Sequence, residues 1–113
     1  REASHNATKI VSSSNAEITK ETDVIYTDTW MSYHIPKSEE KRRIAALKRF
    51  QVNSKIMKLA KKDAIFMHCL PAKRGQEVST EIIDGKQSIV WKQAENRLHM
   101  EKAILIWLLK RYK

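Results

Sequence analysis

Short apolar runs alternate along this chain with polar stretches of helical period. Lys9-Ile10-Val11-Ser12 predicts a strand closed by the polar punctuation Ser13-Ser14-Asn15. Ala16 to Thr22 predicts a short helix, and Val24-Ile25-Tyr26-Thr27 a second strand ending at Asp28. A loop with Pro36 as breaker leads to Ser38, a candidate cap for a helix from Glu39 to Phe50. Asn53 caps the next predicted helix, in which Ile56, Leu59 and Ala60 form one apolar face. A strand from Ala64 to His68 follows, then a long loop opening at Cys69. Ser79 or Thr80 caps a helical turn through Ile83, stopped by Asp84-Gly85. Ser88 to Trp91 predicts a last strand, and Ala94 to about Arg111 a last helix. Strands alternating with helices predict an α/β fold with a parallel sheet flanked by helices.

Two places in this pattern carry more than secondary structure. Ala103 to Leu109 is apolar at every position, so a helix there is hydrophobic on all sides. Seven residues fall far short of the ~20 needed to cross a bilayer. The run therefore calls for a protein layer on each side, which a chain of 113 residues hardly supplies. The other place is Phe66-Met67-His68-Cys69-Leu70-Pro71, where a buried strand breaks into a loop. Pro71 cannot donate to a ladder and predicts an extended Leu70 before it. In open α/β sheets, strand ends of this kind are where ligands sit.

Composition alters this picture little. The chain has length for one domain or part of one, and its 42% hydrophobic and 31% charged residues are those of a globular protein. The formal charge of +9 raises nucleic acid, an acidic membrane surface or an anionic substrate as partners. The lysines and arginines, however, are strewn over Lys37 to Lys62 and Lys110 to Lys113 without interleaved aromatics, which reads as a solvated surface, with neither nucleic acid nor membrane as partner. A single cysteine excludes an internal disulfide and points to a reducing compartment. No secretory signal or transit peptide is visible, and the chain opens at Arg1, without an initiator Met, in what reads as the end of a helix. Residues preceding Arg1 are therefore expected.

Taken alone, the individual site residues have ordinary readings. Cys69 at a strand end suits a small buried hydrophobe, Asp28 a turn cap, and Arg97 a surface ion pair. His68 and His99 suit hydrogen bonding better than metal, since no ligand set lies at zinc spacing. Five elements in order change the reading: Val24-Ile25-Tyr26-Thr27-Asp28-Thr29-Trp30, Phe50-Gln51-Val52-Asn53, His68-Cys69-Leu70-Pro71, Arg74-Gly75-Gln76-Glu77-Val78, and Gln93-Ala94-Glu95-Asn96-Arg97-Leu98-His99. Together they resemble the carboxyl-terminal part of the ornithine carbamoyltransferases. The resemblance implies a Rossmann-like second domain, in incomplete form, of a two-domain transcarbamoylase. Residues 1–92 would be part of its amino-acid-binding domain, and 93–113 a carboxyl-terminal helix packing on the absent first domain.

The resemblance also implies a reaction: the δ-amine of ornithine attacks carbamoyl phosphate, giving citrulline and phosphate, without metal or organic cofactor. Asp28 and Ser32 match ornithine-contacting positions. Cys69 matches the cysteine beside the attacking amine, Leu70 the residue whose carbonyl holds the carbamoyl NH₂, and Arg97 the arginine near the carbamoyl phosphate oxygens. A homotrimer or higher homo-oligomer is implied, in the cytoplasm, or in the mitochondrial matrix if the source is an animal. Two departures stand out. The ornithine-closing loop of the family reads Ser-Met-Gly, whereas Ser32-Tyr33-His34 stands here, which admits another amine such as putrescine. The Ser-Thr-Arg-Thr and His-Pro-x-Gln motifs of the family's first domain occur nowhere in the chain. The expectation is a chain inactive on its own, with a non-catalytic binding or regulatory module of the same fold as the alternative.

Overall fold

Two of the four predicted strands form and pair in the computed structural model, which describes residues 9–111. The helix end expected around Arg1 lies outside the described residues. Strand β1 (Val24–Thr27) and strand β2 (Ile65–His68) run parallel, with Ile25 opposite Phe66 and Thr27 opposite His68. Their period-two alternation turns Ile25, Phe66 and His68 inward, whereas Val24 and Tyr26 stay exposed. Both strands therefore end side by side, at Asp28 and Cys69.

The connection between them carries helix α1 (Glu40–Leu47) and helix α2 (Ser54–Met57). Ser38 does not cap α1. It lies inside a 3₁₀ turn, Lys37–Glu39, begun by Pro36 and running directly into the helix. Asn53 does cap α2, its side-chain oxygen accepting from the Lys55 and Ile56 amides at 3.0 and 3.3 Å. The predicted helix from Ala16 shortens to a 3₁₀ turn, Ala16–Thr19, before Glu21 takes a left-handed φ of 59°. Lys9 to Ser12 is not a strand. Ile10 and Val11 remain exposed, and a strand requires a ladder partner that the described residues do not offer here.

The last predicted strand shrinks to one parallel bridge, Phe66 to Ser88. The Ile89 amide bonds the Phe66 carbonyl at 3.0 Å, but the Ile89 carbonyl accepts from Gln93 N at 2.8 Å, the first bond of a helical turn. Helix α4 (Val90–Arg111) thus starts four residues before the expected Ala94, after the short helix α3 (Thr80–Ile83). Ile25, Val52, Met57, Phe66, Val78, Ile83 and Val90 form one core between the two-stranded sheet and its flanking helices. The result is part of a Rossmann-like α/β layer.

Helix α4 leaves this body. Val90 is fully buried at its root, but from Glu95 to Arg111 every residue is exposed, including Ile104, Leu105, Ile106, Trp107 and Leu109. The radius of gyration of 17.3 Å reflects the projecting arm, because a compact chain of this length has about 13 Å.

Candidate functional site

The two strand ends meet in a hydrogen bond. The Cys69 thiol donates to Asp28 Oδ1 over 2.9 Å, and the Thr29 amide donates to the same oxygen at 2.6 Å. These bonds hold the Asp28 carboxyl below the usual carboxylate range, the thiol contact contributing most. Burial pushes the Cys69 thiol up, and the hydrogen bond to Asp28 raises it further. The pair is thus a carboxylate facing a protonated thiol, a polar and only weakly nucleophilic surface at neutral pH.

Helix α4 secures this end of the sheet from below. Gln93 accepts from the His68 amide at 3.1 Å through Oε1, and its Nε2 donates to the Tyr26 hydroxyl at 3.1 Å. One side chain therefore ties both strands to the helix. The expected extended Leu70 is corrected: its φ is 57°, in the left-handed region, and its peptide bond to Pro71 is cis. The cause lies in His68, whose Nδ1 accepts the Leu70 amide at 2.8 Å and turns the chain back on itself. A left-handed leucine is strained. Packing of its side chain against the core offsets part of that cost. His68 is fully buried with Glu77, whose Oε1 lies 3.4 Å from His68 Nε2 and also accepts the Lys73 amide. With Nδ1 accepting, the imidazole proton resides on Nε2, toward that carboxylate.

The loop from Cys69 to Ser79 is fastened at three further points. Arg74 forks onto Asp84 at 2.8 and 3.1 Å. Gln51 Nε2 donates to the Gly75 and Gln76 carbonyls at 2.9 and 2.8 Å. Gly75, at φ 83°, supplies the turn that returns its amide to the Val78 carbonyl.

Beside the Asp28–Cys69 contact opens a cleft of about 510 Å³ between Thr29, Met31, Ser32, Tyr33 and His34 on one wall and Pro71 and Lys73 on the other. Its volume suits a small metabolite. Ser32 is half-buried there, whereas Tyr33 stands fully exposed on the rim. Asp28, Cys69, Leu70 and Ser32 thus cluster at one mouth. Arg97 does not join them directly. It lies one turn beyond Gln93 on the same helix face, in a shallow groove with Asn96, Met100 and Glu101, and among the described residues no hydrogen bond or ion pair links it to Asp28 or Cys69. Sequence reasoning missed Gln93, Tyr26, Glu77 and Lys73 as members of this neighbourhood. Gln93 had a signal, since it opens the Gln93-Ala94-Glu95-Asn96-Arg97 element. The described residues contain no group of three or more His, Cys, Asp or Glu placed to hold a metal ion.

Comparison with known proteins places this geometry. Residues 1–108 match the family model described as the aspartate/ornithine carbamoyltransferase Asp/Orn binding domain. Ornithine carbamoyltransferase from Hyperthermus butylicus is 55% identical over 95 residues, covering 83% of this chain and 30% of that protein. The enzyme of the same name from Caldicellulosiruptor saccharolyticus is 48% identical over 108 residues, covering 95% and 35%. Among solved structures, the anabolic ornithine carbamoyltransferase of Campylobacter jejuni superposes with a TM-score of 0.86 at 39% identity, covering 96% of this chain and 36% of that one. That of Pyrococcus furiosus gives 0.72 at 51% identity, covering 80% and 28%. The chain spans about a third of the length of the curated relatives it matches.

Proposed function

Because the chain belongs to the aspartate/ornithine carbamoyltransferase family, we propose that it is the amino-acid-binding part of a longer enzyme that transfers the carbamoyl group of carbamoyl phosphate to the δ-amine of ornithine. The observation that carries this reading is the Asp28–Cys69 contact of 2.9 Å, at two adjacent parallel strand ends beside an open cleft. Asp28, held as a carboxylate, binds the α-ammonium of the amino acid, and the half-buried Ser32 hydroxyl fixes its head. The Cys69 thiol stays protonated beside the attacking nitrogen. It therefore accompanies the uncharged amine as a polar neighbour and does not compete as a nucleophile.

Leu70, pinned by His68, aims its carbonyl at the carbamoyl NH₂. Arg97 supplies a cationic fork toward the carbamoyl phosphate oxygens once the remainder of the enzyme covers α4. Catalysis then rests on holding two reactants in line and stabilising developing charge, with no part assigned to a metal or cofactor. The same reading places the enzyme in a homotrimer or larger homo-oligomer, in the cytoplasm or a mitochondrial matrix.

The test uses a hybrid in which this chain replaces the matching part of the Hyperthermus butylicus enzyme. Cys69→Ala should raise KM for ornithine by roughly tenfold, the loss of one polar contact, and leave KM for carbamoyl phosphate within about twofold. Unchanged constants for both substrates would reduce Cys69 to a packing residue.

A further inference from the structure

The cleft beside Cys69 has a charge arrangement that the roles above do not use. Its seven lining residues include Lys73 and no carboxylate, while Asp28 stands immediately before the lining residue Thr29. An acid thus adjoins the lining on the side of β1, and a lysine belongs to the lining contributed by the loop after β2. Lys73 is held at the backbone, because its amide donates to Oε1 of the fully buried Glu77 at 2.5 Å. Its side chain, 49% exposed, retains freedom. The ammonium rests 3.5 Å from Glu40 Oε1 at the start of α1, longer than the roughly 2.8 Å of a charge-assisted hydrogen bond. Glu40 therefore steadies the ammonium without engaging it fully, and at least two of its three donors remain for a ligand.

Resting on the carbamoyl-transfer reading, we propose that Lys73 is a specificity-determining residue that draws the α-carboxylate of an amino-acid substrate into the cleft and so disfavours simple diamines. Ornithine and putrescine both offer a spectator ammonium to Asp28. Only ornithine carries the carboxylate that a cation on the opposite wall attracts, and a diamine would leave that cation facing apolar methylenes and a second positive charge. Glu40 tempers the effect by sharing the ammonium.

The measurement is the ratio of kcat/KM for ornithine over putrescine in the hybrid enzyme. Lys73→Met should lower the ratio about tenfold, mainly through KM for ornithine, and Lys73→Arg should keep it within about threefold. Glu40→Gln, which frees the ammonium, should raise the ratio or leave it unchanged. A Lys73→Met ratio within twofold of the unsubstituted hybrid would overturn the proposal. So would a fall in the ratio for both Lys73→Met and Glu40→Gln, since both break the same bridge and a shared loss would make the pair a loop latch. If the unsubstituted hybrid carbamoylates neither amine, the carbamoyl-transfer reading itself fails and takes the assignment with it. If it carbamoylates ornithine and Lys73→Met is silent, only the Lys73 assignment fails.

Discussion

At the scale of single residues, the site turns on how a neighbouring carboxylate changes a thiol. Cys69 loses solvation by burial and donates to Asp28, and both effects favour its protonated form. Asp28→Asn removes the negative acceptor and leaves the burial in place. The thiol should then ionise at lower pH, and alkylation by iodoacetamide at pH 8 should quicken about threefold or more. A rate profile that does not move would mean that burial alone sets the thiol. The meeting of Asp28 and Cys69 was legible in the sequence because each directly follows an apolar run within a contiguous motif. The conformation of Leu70 was not: proline's preference for an extended predecessor is local, and what overrides it is a hydrogen bond from the Leu70 amide to the buried His68 imidazole, which only the folded strand end supplies. Lys73 was hidden for the same reason, since its partner Glu40 lies on a different element.

At the scale of elements, local chemistry decided those pieces whose ends are capped within a few residues. Asn53 is the clearest case. Its side chain satisfies two orphan amides of α2, which in turn places Met57 in the core, so Asn53→Ala should destabilise the protein by about 1 kcal/mol in urea denaturation. A shift below about 0.3 kcal/mol would assign α2 to packing alone. The strands β1 and β2 were readable as short apolar runs because both find a partner. Lys9 to Ser12 and Ser88 to Trp91 carry the same composition yet do not become strands. The first lacks a neighbour among the described residues, and the second is captured after one bridge by the Gln93 amide, which starts α4 early. Strand propensity is a statement about a surface to pair with, and a single sequence does not reveal which surfaces are present.

At the scale of the whole molecule, the proposed reading makes the chain one part of a larger site. Its core gathers around the sheet, while α4 holds Leu105, Trp107 and Leu109 in solvent and Arg97 in a groove of its own. An apolar helix exposed on all sides is the sequence's all-apolar run from Ala103 to Leu109 made visible, and on the proposed reading the layer that covers it belongs to the remainder of the longer enzyme. That reading unites the projecting helix, the separated arginine and the missing phosphate motifs, and it bears on function directly. The decisive measurement is citrulline formation from ornithine and carbamoyl phosphate by the 113-residue chain alone and by the hybrid that joins it to the upstream part of a relative. The account predicts no citrulline from the chain alone and turnover from the hybrid within about a hundredfold of the parent enzyme. A folded hybrid that makes no citrulline, while its parent does, would contradict it.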